Sequence, residues 1–268
     1  MGKYYNKNIT IGYLSWKRND IFMKTLESHK KNGLFEIIPP ENRIIFFQEI
    51  SEKDKELANK YESKYIGNKD NIGILNAFIE LVEACKTPYF IFCENDFILM
   101  ENNYDIIKTI EDTIIILKND KYAQVKLSNY KNPGFLYISG NNEWLEQNQE
   151  DFKYKVESLS WIPNPKTFYT NTQLVNYNYE WFIFNNKDQE WSNHIYACNT
   201  SFLKDIIIPL LKHNRDNNSK LDVKYQGLES TLIYIDDIPN KNENIINLIE
   251  EYKKRKIYSG GGNFYHNK

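Results

Sequence analysis

The chain has 268 residues, enough for one large α/β domain that can hold its core without a disulfide or a structural metal. With 34 basic against 36 acidic side chains and a formal charge of −2, it lacks the basic excess of a general nucleic-acid binder, while a local basic pocket for phosphate is still allowed. Three scattered cysteines without a CxxC pair read as reduced core thiols, and neither the polar first seven residues nor any apolar run suits a secretion signal or a membrane span, so a soluble, cytoplasmic protein is expected. In chain order, residues 8–14 read as a strand, 20–32 as a helix, 43–48 (RIIFFQ) as a buried strand, 52–61 as a charged helix and 64–67 as a short strand. Residues 73–86 place Ile74, Leu75, Phe78, Leu81, Val82 and Cys85 on one helical face, Pro88 stops that helix, and 89–93 (YFIFC) is an apolar run of strand length.

Apolar strands alternating with helices predict a parallel sheet covered on both faces. The second half reads less regularly. Helix is expected over 103–117, strand over 123–127, a turn at 131–134, short antiparallel strands and loops within 141–186, and strand over 190–197. Helices follow over 200–212, ended or interrupted near Pro209, within 221–236 around Glu229, and over 243–254. Gly260-Gly261-Gly262 reads as a flexible lead into a closing tail.

The residues suited to chemistry collect after strands. Glu94-Asn95-Asp96 follows the strand at 89–93, and in open α/β sheets ligands bind beyond the carboxyl ends of strands. If the strand stays extended, both carboxylates can share a side, and such hard oxygen ligands suit Mg²⁺ or Mn²⁺. The plainer reading is a charged turn. Ser15-Trp16-Lys17-Arg18-Asn19-Asp20 follows the first strand, with Arg18 and Lys17 suited to phosphate, Trp16 to stacking on a base, and Asn19 or Asp20 to a helix cap. Asn68 to Gly73 forms an Asn/Gly-rich loop before a helix, where Asn71 can cap and the loop can hold a base or ribose. Trp144, Trp161, Trp181 and Trp191 are either core residues or faces for a sugar. His29, His194 and His213 read as structural or surface residues, with His194 the one that has a case for touching an acceptor.

The order SWKRND, NKDNIGILNAF, YFIFCENDF resembles the nucleotide-binding half of GT-A glycosyltransferases, in particular the inverting, family 2-like group. The resemblance covers residues 8–100 and thins beyond, touching 125–128, 190–193, 227–229 and the tail. It implies an α/β fold with a mixed, mostly parallel central sheet flanked by helices. That sheet would form a single domain over 1–268, with a nucleotide-binding half to about residue 100 and an acceptor-side half after it. It also implies transfer of a sugar from a nucleotide-diphosphate sugar, UDP-linked by expectation, to a glycan or other hydroxyl acceptor.

By the same resemblance, Ser15, Arg18, Asn68 and Asn71 line the nucleotide pocket, and Glu94 and Asn95 sit near the ribose or metal. Asp96 and His266 hold Mn²⁺ or Mg²⁺, and Glu229 is the general base, with Asp222, Asp188 and Glu190 in reserve. The basic run Lys253-Lys254-Arg255-Lys256 is placed against the leaving diphosphate. The sequence departs from the family pattern in carrying Glu at the first acidic position and Ser230 after the base. A non-catalytic sugar- or protein-binding module and a nucleotidyltransferase are the competing readings. A dinucleotide dehydrogenase is disfavoured because no GxGxxG follows the first strand.

Overall fold

The computed structural model describes residues 6–100, 103–119, 121–128, 173–185, 191, 193–217, 228–233, 235–238 and 242–266. Among them, ten strands form one sheet: β1 (Ile9–Trp16), β2 (Arg43–Gln48), β3 (Lys64–Gly67), β4 (Tyr89–Glu94), β5 (Phe97–Leu99), β6 (Tyr122–Ser128), β7 (Gln173–Asn176), β8 (Glu180–Asn185), β9 (Tyr196–Asn199) and β10 (Lys256–His266). Their order is β3-β2-β1-β4-β9-β6-β10-β8-β7, with β5 paired to β10 off that path. The quartet β3-β2-β1-β4 is parallel throughout. Beyond it β9 enters antiparallel between β4 and β6, and β10 runs parallel to β6 and antiparallel to β8 and β5. The α/β class and the helix-flanked mixed sheet are therefore those expected from the sequence.

The strands β1, β2 and β4 are buried along nearly their whole length, which is why they read as unbroken apolar runs. Strand alternation divides their side chains between two cores: Ile91 and Cys93 face one, Phe90 and Phe92 the other. Helices α1 (Asn19–Lys31), α2 (Leu34–Ile37), α3 (Glu52–Lys60) and α5 (Asn103–Leu117) supply the first core, through Phe22, Leu26, Leu34, Leu57 and Ile110 among others. Helix α4 (Gly73–Ala84) supplies the second, together with four helices from late in the chain: α6 (Thr200–Phe202), α7 (Ile208–Asn217), α8 (Leu228–Ile233) and α9 (Glu243–Lys254). Each core draws on both halves of the chain, and the β4–β9 pairing carries one sheet across them.

Two buried charged groups, Arg43 and Asp112, are each held by several partners. The Arg43 guanidinium donates to the carbonyls of Ile38, Tyr61 and Phe35 at 2.8, 3.1 and 2.8 Å and lies over the Phe35 ring. The Asp112 carboxylate accepts from the backbone N–H groups of Asn178 and Tyr179, the Asn178 amide and the Trp181 indole, which ties α5 to the turn between β7 and β8. Four donors of this kind offset the cost of taking a carboxylate out of water. Trp181 is thus an anchor in the core rather than a sugar platform. Trp191 is buried as well, edge-on to Tyr196 at 5.0 Å between centroids. Trp144 and Trp161 lie outside the described residues. All three cysteines are free and buried.

Three expectations are corrected. The strand placed at 190–197 begins only at Tyr196, with a bend over 193–195 before it. Pro209 does not end a helix: helical structure runs from α6 through a π turn (Leu203–Ile207) into α7, with Pro209 its second residue. The wider π turn absorbs the hydrogen bond that a proline nitrogen cannot donate. The tail is not a flexible closing segment, because through His266 it forms β10, inside the sheet between β6 and β8. Its glycines coincide with a register shift between Ser259 and Phe264, where the strand bulges against β6. The turn expected at 131–134 lies outside the described residues. No helix among the described residues is long and apolar enough to cross a membrane.

Candidate functional site

The parallel quartet fixes where a ligand can enter. Chain crossings leave β1 toward β2 on one side, and β4 lies on its other side, so the strand order reverses at β1 and β4. A crevice opens beyond their carboxyl ends at such a point. The loop after β1 and the turn after β4 flank it, and Arg18 Nη1 reaches Asp96 Oδ2 across it at 3.5 Å. Asp96 is buried, while the Arg18 side chain is half exposed.

Residues Asn95 and Asp96 form a turn between β4 and β5, so the extended alternation expected for Glu94 and Asp96 does not apply. Glu94 still belongs to β4, while Asp96 has turned toward Arg18. Beneath them Cys93 is sealed in the core, and burial, with Asp96 and Glu94 nearby, pushes its thiol well above the usual range, which leaves it an inert packing group.

Ser15 is the last buried residue of β1, and its Oγ has no hydrogen-bond partner. Helix α1 starts at Asn19 with Arg18 in the cap position and no side-chain cap. The expected cap at Asn19 or Asp20 is absent; Asn19 instead donates to Asp54 Oδ1 at 2.7 Å. The first-turn N–H groups of α1 therefore end at the rim with Arg18 and Ser15 around them. Lys17 and Glu49, just past β1 and β2, both adopt positive φ (47° and 52°) and pair at 2.5 Å. Such backbone is costly for residues other than glycine and collects at functional rims. Glu49 also accepts from the indole of Trp16, a half-exposed side chain. The Lys17 ammonium holds the Glu49 carboxyl below its ordinary pKa.

Asn68 and Asn71 lie on the next loop of the same rim. Each turns its Oδ1 to a backbone N–H two residues on, Asp70 at 3.2 Å and Gly73 at 2.9 Å. These are turn-forming bonds, so the amide nitrogens are the part of each side chain left to meet a ligand. The loop is held to β2 by Gln48 Oε1, which accepts from Ile72 N at 2.9 Å.

The far end of β10 reaches the same place. His266 pairs with Phe97, the residue after Asp96, so the backbone of the tail histidine comes within one residue of the acidic turn. His194 stacks edge-on against Phe97 at 5.5 Å, which brings to the site the histidine that has a case for touching an acceptor. The basic run before β10 does not join them: it lies at the opposite end of that strand, where Lys256 pairs with Tyr122 while Phe264 pairs with Ser128, about 20 Å along β6. Lys253 there pairs with Asp236, and Lys254 with Glu251. Glu229 is the second residue of α8. Asp188, Glu190 and Asp222 lie outside the described residues.

One cluster escaped sequence reasoning altogether. His29, expected to be structural or superficial, is fully buried beneath the acidic turn, with Nε2 2.9 Å from the Phe97 carbonyl and Nδ1 2.7 Å from the Tyr13 hydroxyl. A carbonyl only accepts, so Nε2 carries the proton and Tyr13 donates to Nδ1. Burial lowers the His29 pKa to about 4 and raises that of Tyr13 well above its ordinary value. The signal in the sequence was Thr25, Ser28, His29 and Asn32 recurring at helical spacing beside the apolar stripe of α1.

No protein-family model and no curated protein matches this chain. Among solved structures it is similar to the glucosyl-3-phosphoglycerate synthase of Mycobacterium tuberculosis in complex with Mn²⁺, UDP and phosphoglyceric acid, at 10% identity over 97% of this chain and 71% of that one, TM-score 0.49. It is also similar to S. aureus TarS, at 10% identity over 97% and 60% of the two chains, TM-score 0.46. A third likeness is to the mannosyltransferase PcManGT of Pyrobaculum calidifontis in complex with GDP-Man and Mn²⁺, at 7% identity over 47% and 36%, TM-score 0.37. The chain thus spans only 60% and 36% of the length of the last two. At these values each is a likeness and no more.

Proposed function

We propose that this chain is a glycosyltransferase that moves a sugar from a nucleoside diphosphate, UDP by preference, to a hydroxyl acceptor with inversion at the anomeric carbon. The observation that carries this reading is the contact of Arg18 with Asp96 beyond the carboxyl ends of β1 and β4, where the strand order reverses. An uncapped helix start, a guanidinium and the unpartnered Ser15 hydroxyl converge there, and together they suit a diphosphate. In this reading Trp16 offers its face to the base, Asn68 and Asn71 their amides to base or ribose, and Glu94 and Asn95 border the ribose.

A divalent cation, Mn²⁺ or Mg²⁺, would be held by Asp96 and His266. The support for this is a buried carboxylate at Asp96 and a β10 register that pairs the His266 backbone with Phe97, the next residue; a carboxylate and an imidazole suit a cation whose coordination is completed by phosphate oxygens and water. When bound, it would offset the charge that develops on the leaving diphosphate. Inversion needs one base to take the acceptor proton, and Glu229 near the start of α8 is the residue assigned that role. Arg18, half exposed, is free to swing from Asp96 to a phosphate oxygen as the donor enters.

The test is thermal unfolding with UDP, GDP and their sugars, with and without Mn²⁺. A ligand at about 100 times its Kd stabilises by about 2.7 kcal/mol. A nucleotide shift that needs Mn²⁺ in the native chain and is lost in Asp96→Asn is the expected result. No shift with any nucleotide would remove the reading.

A further inference from the structure

The acidic turn is held from below by one face of α1. Thr25 Oγ1 donates to the Asn95 carbonyl at 2.9 Å, and His29 Nε2 donates to the Phe97 carbonyl at 2.9 Å. Leu99 is gripped twice: its N–H donates to Ser28 Oγ at 2.9 Å, and its carbonyl accepts from Asn32 Nδ2 at 2.5 Å. Thr25, Ser28 and His29 occupy positions i, i+3 and i+4 of the helix, and Asn32, its C-cap, follows at i+7. The backbone groups they hold belong to residues 95, 97 and 99, alternate positions along the chain. β5 is thus pinned between β10, which pairs with residues 97–99, and a row of α1 side chains that stands in for a neighbouring strand.

Thr25 and His29 are both fully buried, and the His29 ring is held at both of its nitrogens. Its outer partner Tyr13 is itself fully buried in β1. The chain of contacts runs from β1 through Tyr13 and His29 to the carbonyl of Phe97. It joins β1 to β5, the strand that follows the acidic turn, without passing through solvent. Phe97 is next to Asp96 in sequence and opposite His266 in register.

We propose that His29 is a positioning residue of the candidate site: with Thr25, Ser28 and Asn32 it sets the height of the β4–β5 turn, and so where Asp96 meets a metal–diphosphate ligand. The proposal rests on the reading of that turn as the donor site. An imidazole with a fixed tautomer and two buried partners holds a backbone carbonyl more firmly than a solvated side chain does, and displacement of such supporting groups elsewhere costs metal sites about 10–100-fold in affinity.

The experiment measures uptake of Mn²⁺ in the presence of UDP by electron paramagnetic resonance of the free ion, on the full chain. His29→Leu keeps an apolar side chain of similar bulk and removes the bond to Phe97. His29→Gln keeps a donor near the place of Nε2. Thr25→Val removes the hydroxyl on the Asn95 carbonyl at nearly constant volume. Leu81→Ala, in the core on the other face of the sheet, serves as a variant that is merely less stable. The expected result is a loss of about tenfold or more in Mn²⁺ affinity for His29→Leu. A smaller loss is expected for Thr25→Val, near-native affinity for His29→Gln, and no change for Leu81→Ala.

Native affinity in both His29→Leu and Thr25→Val, with Mn²⁺ bound by the native chain, overturns the positioning role and leaves the donor-site reading standing. No Mn²⁺ uptake by the native chain overturns both. Should His29→Leu not fold, Thr25→Val against Leu81→Ala decides, since equal affinities in those two also overturn the proposal.

Discussion

At the scale of single residues, the site is set by buried polar groups whose partners are backbone atoms distant in sequence. His29 shows the energetic consequence. Its pKa falls from 6.5 in the unfolded chain to about 4 in the fold because burial disfavours the charged ring. Between those values the unfolded chain takes up a proton that the folded chain refuses. The contribution is therefore complete above about pH 6.5, shrinks as pH falls toward 4, and levels off below that. The span corresponds to about 3 kcal/mol. Denaturant melts at pH 7 and pH 4.5 are expected to show the native chain losing about 2–3 kcal/mol more than His29→Gln over that interval. Equal losses would mean that the ring is protonated in place without penalty.

At the scale of elements, the rim depends on where strands stop. β3 ends at Gly67, where an added Cβ would lie 2.6 Å from the Phe47 carbonyl and 3.0 Å from Ile50 Cβ. The chain approaches β2 this closely because Asn68 N donates to Phe47 O and Ile50 N donates to Asn68 O. Gly67→Ala is expected to push the end of β3 outward and destabilise the protein by about 1–3 kcal/mol, read from chemical denaturation. It should also weaken any nucleotide that uses Asn68 and Asn71. Helical spacing marked α1, α4, α5 and α9 to within a few residues, and apolar runs marked β1, β2 and β4, because one period dominates each. Pro209 misled for the opposite reason: proline weighs heavily in any local reading, yet a π turn supported by the packing of Leu203, Ile206 and Ile207 carries the helix past it.

At the scale of the whole molecule, β10 is the strand that ties the end of the described chain to strands from its middle. It pairs with β6 and β8 within the sheet and with β5 at the site. Deleting residues 256–268 would leave β6 and β8 with open edges and remove the partner of β5. The expected outcome is a large loss of cooperative unfolding by circular dichroism, together with association seen in size-exclusion chromatography, rather than a folded protein lacking a lid. A truncated chain that melts like the native one would return the tail to the role of a passive terminus.

The sequence alone determined the alternation of strands and helices in the first hundred residues and the placement of SWKRND, the Asn68–Gly73 loop and Glu94-Asn95-Asp96 after strands. Each follows from local periodicity or from a polar break after an apolar run, and such signals survive without neighbours. Tertiary structure alone decided the rest. The tail became an inner strand although Gly and Asn disfavour strands, because pairing on both edges satisfies its backbone groups, which no hydropathy pattern records. His29, readable only as structural or superficial from the sequence, was assigned its place beneath the acidic turn by the fold, because its partners, Tyr13 and Phe97, lie 16 and 68 residues away. Arg18 and Asp96, 78 residues apart, meet only because β1 and β4 are neighbours in the sheet.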